Sequence, residues 1–172
     1  MAILKTTERL TIKSWAEEDL SHYLIMMKDV GFNCFSIPGY FWVNSTEEAL
    51  GKIRERMSLF ETRGLGKFLV LSKATGELMG TCGIAPYLVN GKEELELGYR
   101  YLLKHWGFGF ASEAAQAVLE YGFERLDVPR ILALVAPQNK QSIRVIEKLD
   151  MQRVGEIIHY DLPHLLYEMK RR

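Results

Sequence analysis

The stretch Trp106-Gly107-Phe108-Gly109-Phe110-Ala111-Ser112-Glu113-Ala114-Ala115 constrains this chain more than any other. It sets a glycine-rich turn directly before an apolar-faced helix, and Glu94-Leu95-Glu96-Leu97-Gly98-Tyr99 ahead of it alternates as a strand. A strand, a tight turn and a helix start leave several backbone N–H groups without an intrahelical acceptor, where the helix dipole favours an anion. Gly107 and Gly109 remove the Cβ atoms that would hold the backbone away from it. One anion at a helix N-terminus gains only about 0.3–1 kcal/mol, so several amides must act together. The pattern reads as a pocket for a pyrophosphate-bearing molecule. It lacks the Gly-Lys-Ser/Thr ending of a mononucleotide loop and the Gly-x-Gly-x-x-Gly of a dinucleotide fold, which argues against both.

The chain has 172 residues, which suits a single domain over 1–172. Lys+Arg and Asp+Glu are 22 each, so no bulk positive charge is available to hold nucleic acid. The opening Met1-Ala2-Ile3-Leu4-Lys5-Thr6-Thr7-Glu8 lacks the apolar core of a signal peptide, and no apolar run reaches membrane-spanning length. Cys34 and Cys82 have neither metal-type nor redox-type spacing and read as reduced, packed thiols of a cytoplasmic protein. The histidines His22, His105, His159 and His164 show no zinc spacing, so no metal is expected.

Periodicity divides the chain into alternating elements. Residues 7–13 read as a first strand and residues 15–28 as a helix with Leu20, Tyr23, Leu24 and Met27 on one face. Residues 31–43 read as an irregular apolar loop. Ser45 and Glu48 form a capping-box pattern that starts a helix running to about residue 62. Residues 67–73, 77–87 and 93–102 read as strands, joined at Ala74-Thr75-Gly76 and Asn90-Gly91. A helix over about 109–126 buries Ala111, Ala114, Ala115, Val118, Leu119, Gly122 and Phe123, and Asp127-Val128-Pro129 ends it. A strand at 131–136, a helix at 142–149 and strands at 152–160 and 165–170 complete an α/β (α+β) pattern with a mixed sheet.

These pieces, in this order, resemble the GNAT superfamily of acetyl-CoA-dependent N-acetyltransferases, and most of all its ribosomal-protein N-terminal (RimJ/RimL-like) branch. Thr7-Glu8-Arg9-Leu10-Thr11-Ile12 resembles the branch's opening strand. Glu96-Leu97-Gly98-Tyr99 with the 106–114 segment resembles its cofactor-binding core, and the 139–149 segment its second cofactor motif. The resemblance implies a mostly antiparallel sheet of about seven strands flanked by about four helices, splayed between the fourth and fifth strands. Three positions depart from the superfamily pattern. Trp106 stands where Gln or Arg is usual, Phe108 replaces a frequent Lys, and Leu149-Asp150-Met151 replaces Leu-Gly-Phe. The last puts a non-glycine residue at a helix C-terminal turn, at some cost in stability.

The implied donor is acetyl-CoA, with its pyrophosphate on the backbone of Trp106, Gly107, Phe108, Gly109, Phe110, Ala111 and Ser112. Its pantetheine amides would pair like an added strand with the backbone of Tyr99, Arg100, Tyr101 and Leu102, beside a bulge near Gly98 and Tyr99. Asn139 is expected to bind pantetheine, or to cap a loop. Glu96 is the leading general-base candidate, and alternatively a structural carboxylate paired with backbone or with Arg100. Glu94, Glu156, Asp161 and water are further candidates for the base. Ser142 is the candidate donor to the departing thiolate, or only a capping residue.

The aromatic residues Phe32, Phe35, Tyr40, Phe41 and Trp42 either wall an acceptor site or pack as core. The expected acceptor is a primary amine, first a protein or peptide N-terminus and next a small-molecule amine such as an amino acid, polyamine or antibiotic. A domain that binds acyl-CoA without turnover is the alternative from another class. A monomer or homodimer is expected, with no nucleic acid and no membrane among its partners.

Overall fold

The computed structural model describes residues 2–35 and 42–171. Eight strands form one sheet in the order β1-β2-β3-β4-β5-β6-β8-β7. They are β1 (Ile3–Thr6), β2 (Leu10–Lys13), β3 (Gly66–Ser72), β4 (Leu78–Val89), β5 (Lys92–Tyr101), β6 (Arg130–Val135), β7 (Gln152–His159) and β8 (Leu162–Lys170). The helices are α1 (Leu20–Lys28), α2 (Val30–Asn33), α3 (Thr46–Arg63), α4 (Phe110–Arg125) and α5 (Lys140–Lys148). Among these described residues no helix is long and apolar enough to cross a membrane.

The strand and helix counts each exceed the expected number by one, for local reasons. The stretch read as a single strand over 7–13 is instead a turn followed by a strand, and β1 precedes it. The Thr7 hydroxyl accepts from Leu10 N at 2.9 Å and Thr7 N donates to Leu10 O at 2.9 Å, which folds β1 back on β2. The short helix α2 lies in the stretch read as loop. Asp29 caps it, its Oδ1 accepting from Phe32 N at 2.8 Å. The first long helix starts later than expected because residues 17–19 form a 3-10 turn. There the buried Asp19 accepts from Ala16 N and pairs with Lys13 Nζ at 2.6 Å. The capping box of α3 is made only in part. Ser45 accepts from Glu48 N, while the Glu48 carboxylate reaches one residue further back, to Asn44 N at 2.7 Å.

Two cores lie on opposite faces of the sheet. The larger holds Phe68, Val70, Ile84, Leu97 and Ile131 under α4, whose Ala114, Ala115, Val118 and Leu119 are buried as the spacing requires. A side chain at Gly122 would begin 2.4 Å from Ile84 Cδ1, so α4 lies close on the sheet. The second core packs Trp15, Tyr23, Met26, Phe32, Ile53 and Leu69 beneath α1–α3. The period of two on β5 assigns its faces. Leu95, Leu97, Tyr99 and Tyr101 point to the α4 core, and Glu94, Glu96, Gly98 and Arg100 to the α1–α3 side.

All neighbouring strands are antiparallel except β5 and β6, which are parallel and meet at one register pair, Glu96 and Leu132. This is the splay, at the expected place in the chain. It is not produced by the expected bulge: β4 and β5 stay in continuous register from Gly80–Tyr101 to Val89–Lys92, through Gly98 and Tyr99. The opening comes from the divergence of β6, which turns to pair along its length with β8.

The departure at the end of α5 is visible in the backbone. Asp150 follows the helix at φ 59°, in the left-handed region that favours glycine. Asp150→Gly is therefore expected to stabilise the protein by up to about 1 kcal/mol, part of the relief being offset by the entropy of the unfolded glycine. Urea unfolding checks this, and an unchanged or lower midpoint contradicts it.

Candidate active site

The splay opens a cleft of about 1040 Å³, lined from both faces of the sheet and from both sides of the gap. Its α4 end is the glycine-rich turn. A 3-10 turn at Leu103–His105 follows β5, and Trp106 N closes it on Leu103 O at 3.1 Å. The Trp106 indole donates to Tyr101 O at 2.9 Å, pinning the loop to the end of the strand. Gly107 and Gly109 then take φ of 83° and 81°, and α4 begins at Phe110 with no side-chain cap. Its own ladder starts with Glu113 N on Gly109 O. None of the amides of residues 107–112 donates to an acceptor among the described residues. Six consecutive donors in that state at a helix N-terminus form an anion cradle.

Arg9 steadies this loop from outside. Its Nη1 donates to Phe108 O at 2.9 Å, its Nε to Glu113 Oε2 at 2.7 Å, and its guanidinium carbon lies 4.5 Å from the Phe110 ring centre. Glu113 also accepts from Thr7 Oγ1 and Arg9 N. The β1–β2 turn is thereby tied to the first turn of α4.

Beyond Glu96, the edge of β5 that faces β6 has no strand partner among the described residues. The expected run of cofactor-binding backbone is shortened at its end. Leu102 N donates to Met79 O at 3.0 Å, and its side chain belongs to the second core rather than to the cleft. Phe108 is expected to contribute its backbone, and its amide belongs to the open run. Its side chain is exposed and lies off the cleft. Tyr99, Arg100, Tyr101, Trp106, Gly107, Gly109, Phe110, Ala111, Ser112 and Asn139 all line it.

Of Asn139 and Ser142, each expected as a site residue or as a cap, it is Asn139 that caps. Asn139 is the N-cap of α5, its Oδ1 accepting from Ser142 N at 3.0 Å. Ser142, three residues into the helix count, is therefore not the cap. Its Oγ lies 2.8 Å from Tyr99 Oη, and that phenol also reaches Ser142 O at 3.2 Å. Burial pushes the Tyr99 phenol well above its usual range, so it remains an O–H donor at neutral pH. Sequence reasoning took Tyr99 for its backbone only and missed this hydroxyl.

Glu96 faces the cleft on the other side of the sheet. Its partner is not Arg100 but Lys67, whose Nζ donates to Glu96 Oε2 at 2.7 Å and to Glu96 O at 3.2 Å. Lys67 lies opposite Gly83 in β3–β4 register, and Gly83 lies opposite Gly98. A Cβ on Gly98 would stand 2.3 Å from Lys67 Nζ, so a side chain there would have to displace the flexible end of that lysine from its place beside Glu96. Glu96 Oε1 accepts from no described residue. Arg100 Nη1 instead donates to Phe32 O at 3.3 Å.

The other carboxylate candidates are placed elsewhere. Glu94 is bound by Arg130 at 2.7 Å, which also pairs with Glu168 at 3.0 Å. The Arg130 hydrogen bond holds the Glu94 carboxyl below the usual carboxylate range, the wrong direction for a group that must take a proton. Glu156 pairs with Arg153, and neither Glu156 nor Asp161 lines the cleft. His159, which was weighed only as a metal ligand, does line it. Its Nδ1 lies 2.7 Å from Tyr87 Oη. Burial, with His164 beside it, lowers His159, which favours a neutral imidazole in hydrogen-bond contact with the Tyr87 hydroxyl.

Of the aromatic cluster, Phe32 is both core and cleft wall, Phe35 lines the cleft at its edge, and Trp42 is exposed away from it. Tyr40 and Phe41 lie outside the described residues. Cys82 is the packed thiol expected, pushed up to about 12 by burial, whereas Cys34 is exposed.

Residues 9–152 match the acetyltransferase (GNAT) domain family. Among curated relatives, the uncharacterized protein YkkB of Bacillus subtilis is 40% identical over 107 residues, a match spanning 62% of each chain. The uncharacterized N-acetyltransferase p20 of Bacillus licheniformis is 33% identical over 157 residues, covering 90% of this chain and 85% of that one. Among solved structures, RimL, the ribosomal L7/L12 α-N-protein acetyltransferase in complex with coenzyme A, superposes with a TM-score of 0.81 over 98% of each chain at 18% identity, which is a likeness of fold. With its matching domain, the splayed sheet and the glycine turn ahead of α4, the chain belongs to the GNAT acetyltransferase family.

Proposed function

We propose that this protein transfers the acetyl group of acetyl-CoA to an α-amine, by direct attack in a ternary complex, and that its acceptor is a protein or peptide N-terminus. The observation that carries the reading is the run of amides at 107–112 without acceptors among the described residues, opening on a cleft whose opposite wall holds Glu96. The amides suit a diphosphate, and the unpaired edge of β5 suits an amide-bearing chain laid beside it.

The acceptor follows from proton energetics. An α-amine, with a pKa of about 7.7–8.0, loses its proton at pH 7 for ~1 kcal/mol, and a lysine side chain for ~5 kcal/mol. A carboxylate with one oxygen already held by Lys67 is adequate for the first task and weak for the second. In the proposed reaction Glu96 Oε1 takes the ammonium proton, directly or through water. The neutral nitrogen attacks the thioester carbonyl and the N–C bond forms; as the C–S bond breaks, the surplus N–H proton of the tetrahedral intermediate passes through water to the departing sulfur, which leaves as the free thiol. The Tyr99–Ser142 contact, which either hydroxyl can donate, is used in this reaction with Tyr99 as donor to Ser142 Oγ, so that the serine hydrogen is left for the departing sulfur and stabilises the thiolate as it forms. RimL, a structural neighbour named as an α-N-protein acetyltransferase, supports a protein N-terminus as acceptor.

Acetyl-CoA at 100 times its dissociation constant is expected to stabilise the protein by about 2.7 kcal/mol, while ATP and NAD give no comparable shift in melting temperature. Gly109→Val, which forces a β-branched residue to φ 81°, should weaken acetyl-CoA binding at least about tenfold. Equal shifts with all ligands, or full affinity in the variant, would count against the cradle.

Glu96→Gln is expected to lower kcat by about 100-fold or more at pH 7, measured as release of free thiol. That loss should shrink as the pH is raised towards 9, where the amine deprotonates unaided. Ser142→Ala and Tyr99→Phe should each lower kcat, with the double variant little worse than either single one, because the two hydroxyls act in series. A pH-independent loss in Glu96→Gln, or additive losses in the hydroxyl pair, would refute this assignment of roles.

A further inference from the structure

The charges lining the cleft are unequal, although the chain as a whole is neutral. Five Lys or Arg residues line it (Arg56, Lys67, Arg100, Arg144 and Lys148) against a single carboxylate, Glu96. They divide by face. Arg144 and Lys148 stand on α5, on the α4 side of the sheet, where the phosphates of the donor are placed by the reading above. Arg56, Lys67 and Arg100 stand on the α1–α3 side, with Glu96. The pairing of Lys67 with Glu96 accounts for one positive and one negative charge there; the other cations on that side are Arg100, which is held by groups of its own such as Phe32 O, and Arg56.

Arg56 is built into that wall. Its guanidinium carbon lies 5.3 Å from the Trp15 ring centre and 5.1 Å from that of Tyr23. Both rings are buried, and Nη1 donates to Lys52 O at 2.9 Å. No ion pair among the described residues contains Arg56. The Trp15 indole donates in turn to Lys67 O at 2.7 Å, so one ring connects the Arg56 guanidinium to the residue that holds Glu96. A guanidinium fixed on two aromatic faces, with its remaining N–H groups in a cleft, is preorganised for a carboxylate.

We propose that the acceptor is an amine carrying a carboxylate close by on the same molecule, and that Arg56 is the residue that selects it. This rests on the acetyl transfer proposed above; it narrows the acceptor given there when the carboxylate belongs to a peptide and replaces it when the carboxylate belongs to a free amino acid. The acceptor's ammonium then meets Glu96 and its carboxylate meets the Arg56 side of the cleft, a zwitterion matched by two opposite poles. A polycationic amine finds only Glu96 to receive it and brings its further charges towards Arg56, and is disfavoured. The carboxylate has two sources with the same chemistry: the main-chain group of a free amino acid, or an acidic side chain beside the N-terminal amine of a peptide.

The test compares acceptors in matched pairs with the full-length protein and acetyl-CoA. One arm sets free amino acids against their carboxamides. The other sets peptides beginning with Asp or Glu against the same peptides beginning with Asn or Gln. A polyamine and an aminoglycoside complete the panel. In at least one arm the carboxylate member is expected to be preferred by about 10- to 100-fold in kcat/KM, mainly through KM, as one charge-assisted hydrogen bond allows. Arg56→Gln should bring that ratio close to one, and Arg56→Lys should retain part of it.

Melting temperature and CD show whether each variant is folded, and Arg56→Lys carries the comparison if Arg56→Gln is not. The proposal is overturned if neither arm shows a preference, if the polycations are the best acceptors, or if the folded variants keep the wild-type ratio. Acetylation without a carboxylate preference refutes this inference alone. Binding of acetyl-CoA with no amine acetylated refutes the parent reading and this one with it.

Discussion

The single register pair between Glu96 of β5 and Leu132 of β6 is the constraint on which the site depends. Parallel strands joined only there are free to diverge, and β6 diverges because its other edge is committed to β8 along its whole length. The sheet therefore carries an opening in its middle rather than at its rim. A residue on β5 just past that point can reach either face, according to whether its number is odd or even. Tyr99 looks towards α5 and Glu96 towards α1–α3, so the groups that suit donor and acceptor approach one gap from opposite sides.

Glycine serves this arrangement in two physically different ways. At Gly107 and Gly109 the backbone itself is left-handed, which turns a row of amides towards the same space before the helix ladder begins. At Gly98 the missing Cβ leaves volume instead: the Lys67 ammonium lies where a side chain would begin, and would have to move aside for one. The anchors around these points are polar and come from distant parts of the chain. Arg9 and Thr7 grip Glu113 on α4, and the Trp106 indole ties the loop to Tyr101 O. The loop that presents bare amides is thus held by side chains that leave those amides alone.

The electrostatics follow the same division. Glu94 and Glu113, outside the cleft, are bound to Arg130 and Arg9, while Glu96, the one carboxylate among the described residues that line it, is held by a lysine through one oxygen. The buried phenol of Tyr99 keeps its proton, and the half-buried imidazole of His159 stays neutral. The cleft therefore combines neutral hydrogen-bonding groups with a surplus of fixed positive charge, in a protein whose total charge is zero.

Much of this was readable from the chain. Gly107 and Gly109 before the Ala114–Ala115–Val118–Leu119 stripe marked the anion cradle and its helix, because turn chemistry and the 3.6-residue period are local properties. Alternation on β5 put Glu96 and Arg100 on one face, and Asp150 at a helix end foretold a left-handed residue without glycine. The second strand hidden in the opening segment, the absence of a bulge at Gly98, the pairing of Glu96 with Lys67 rather than Arg100, and the Tyr99–Ser142 contact were decided by tertiary structure. Each joins residues 29 or more positions apart, or depends on which strand lies beside which. Side-chain periodicity says which way a residue points. Only the order and divergence of the strands says what it points at.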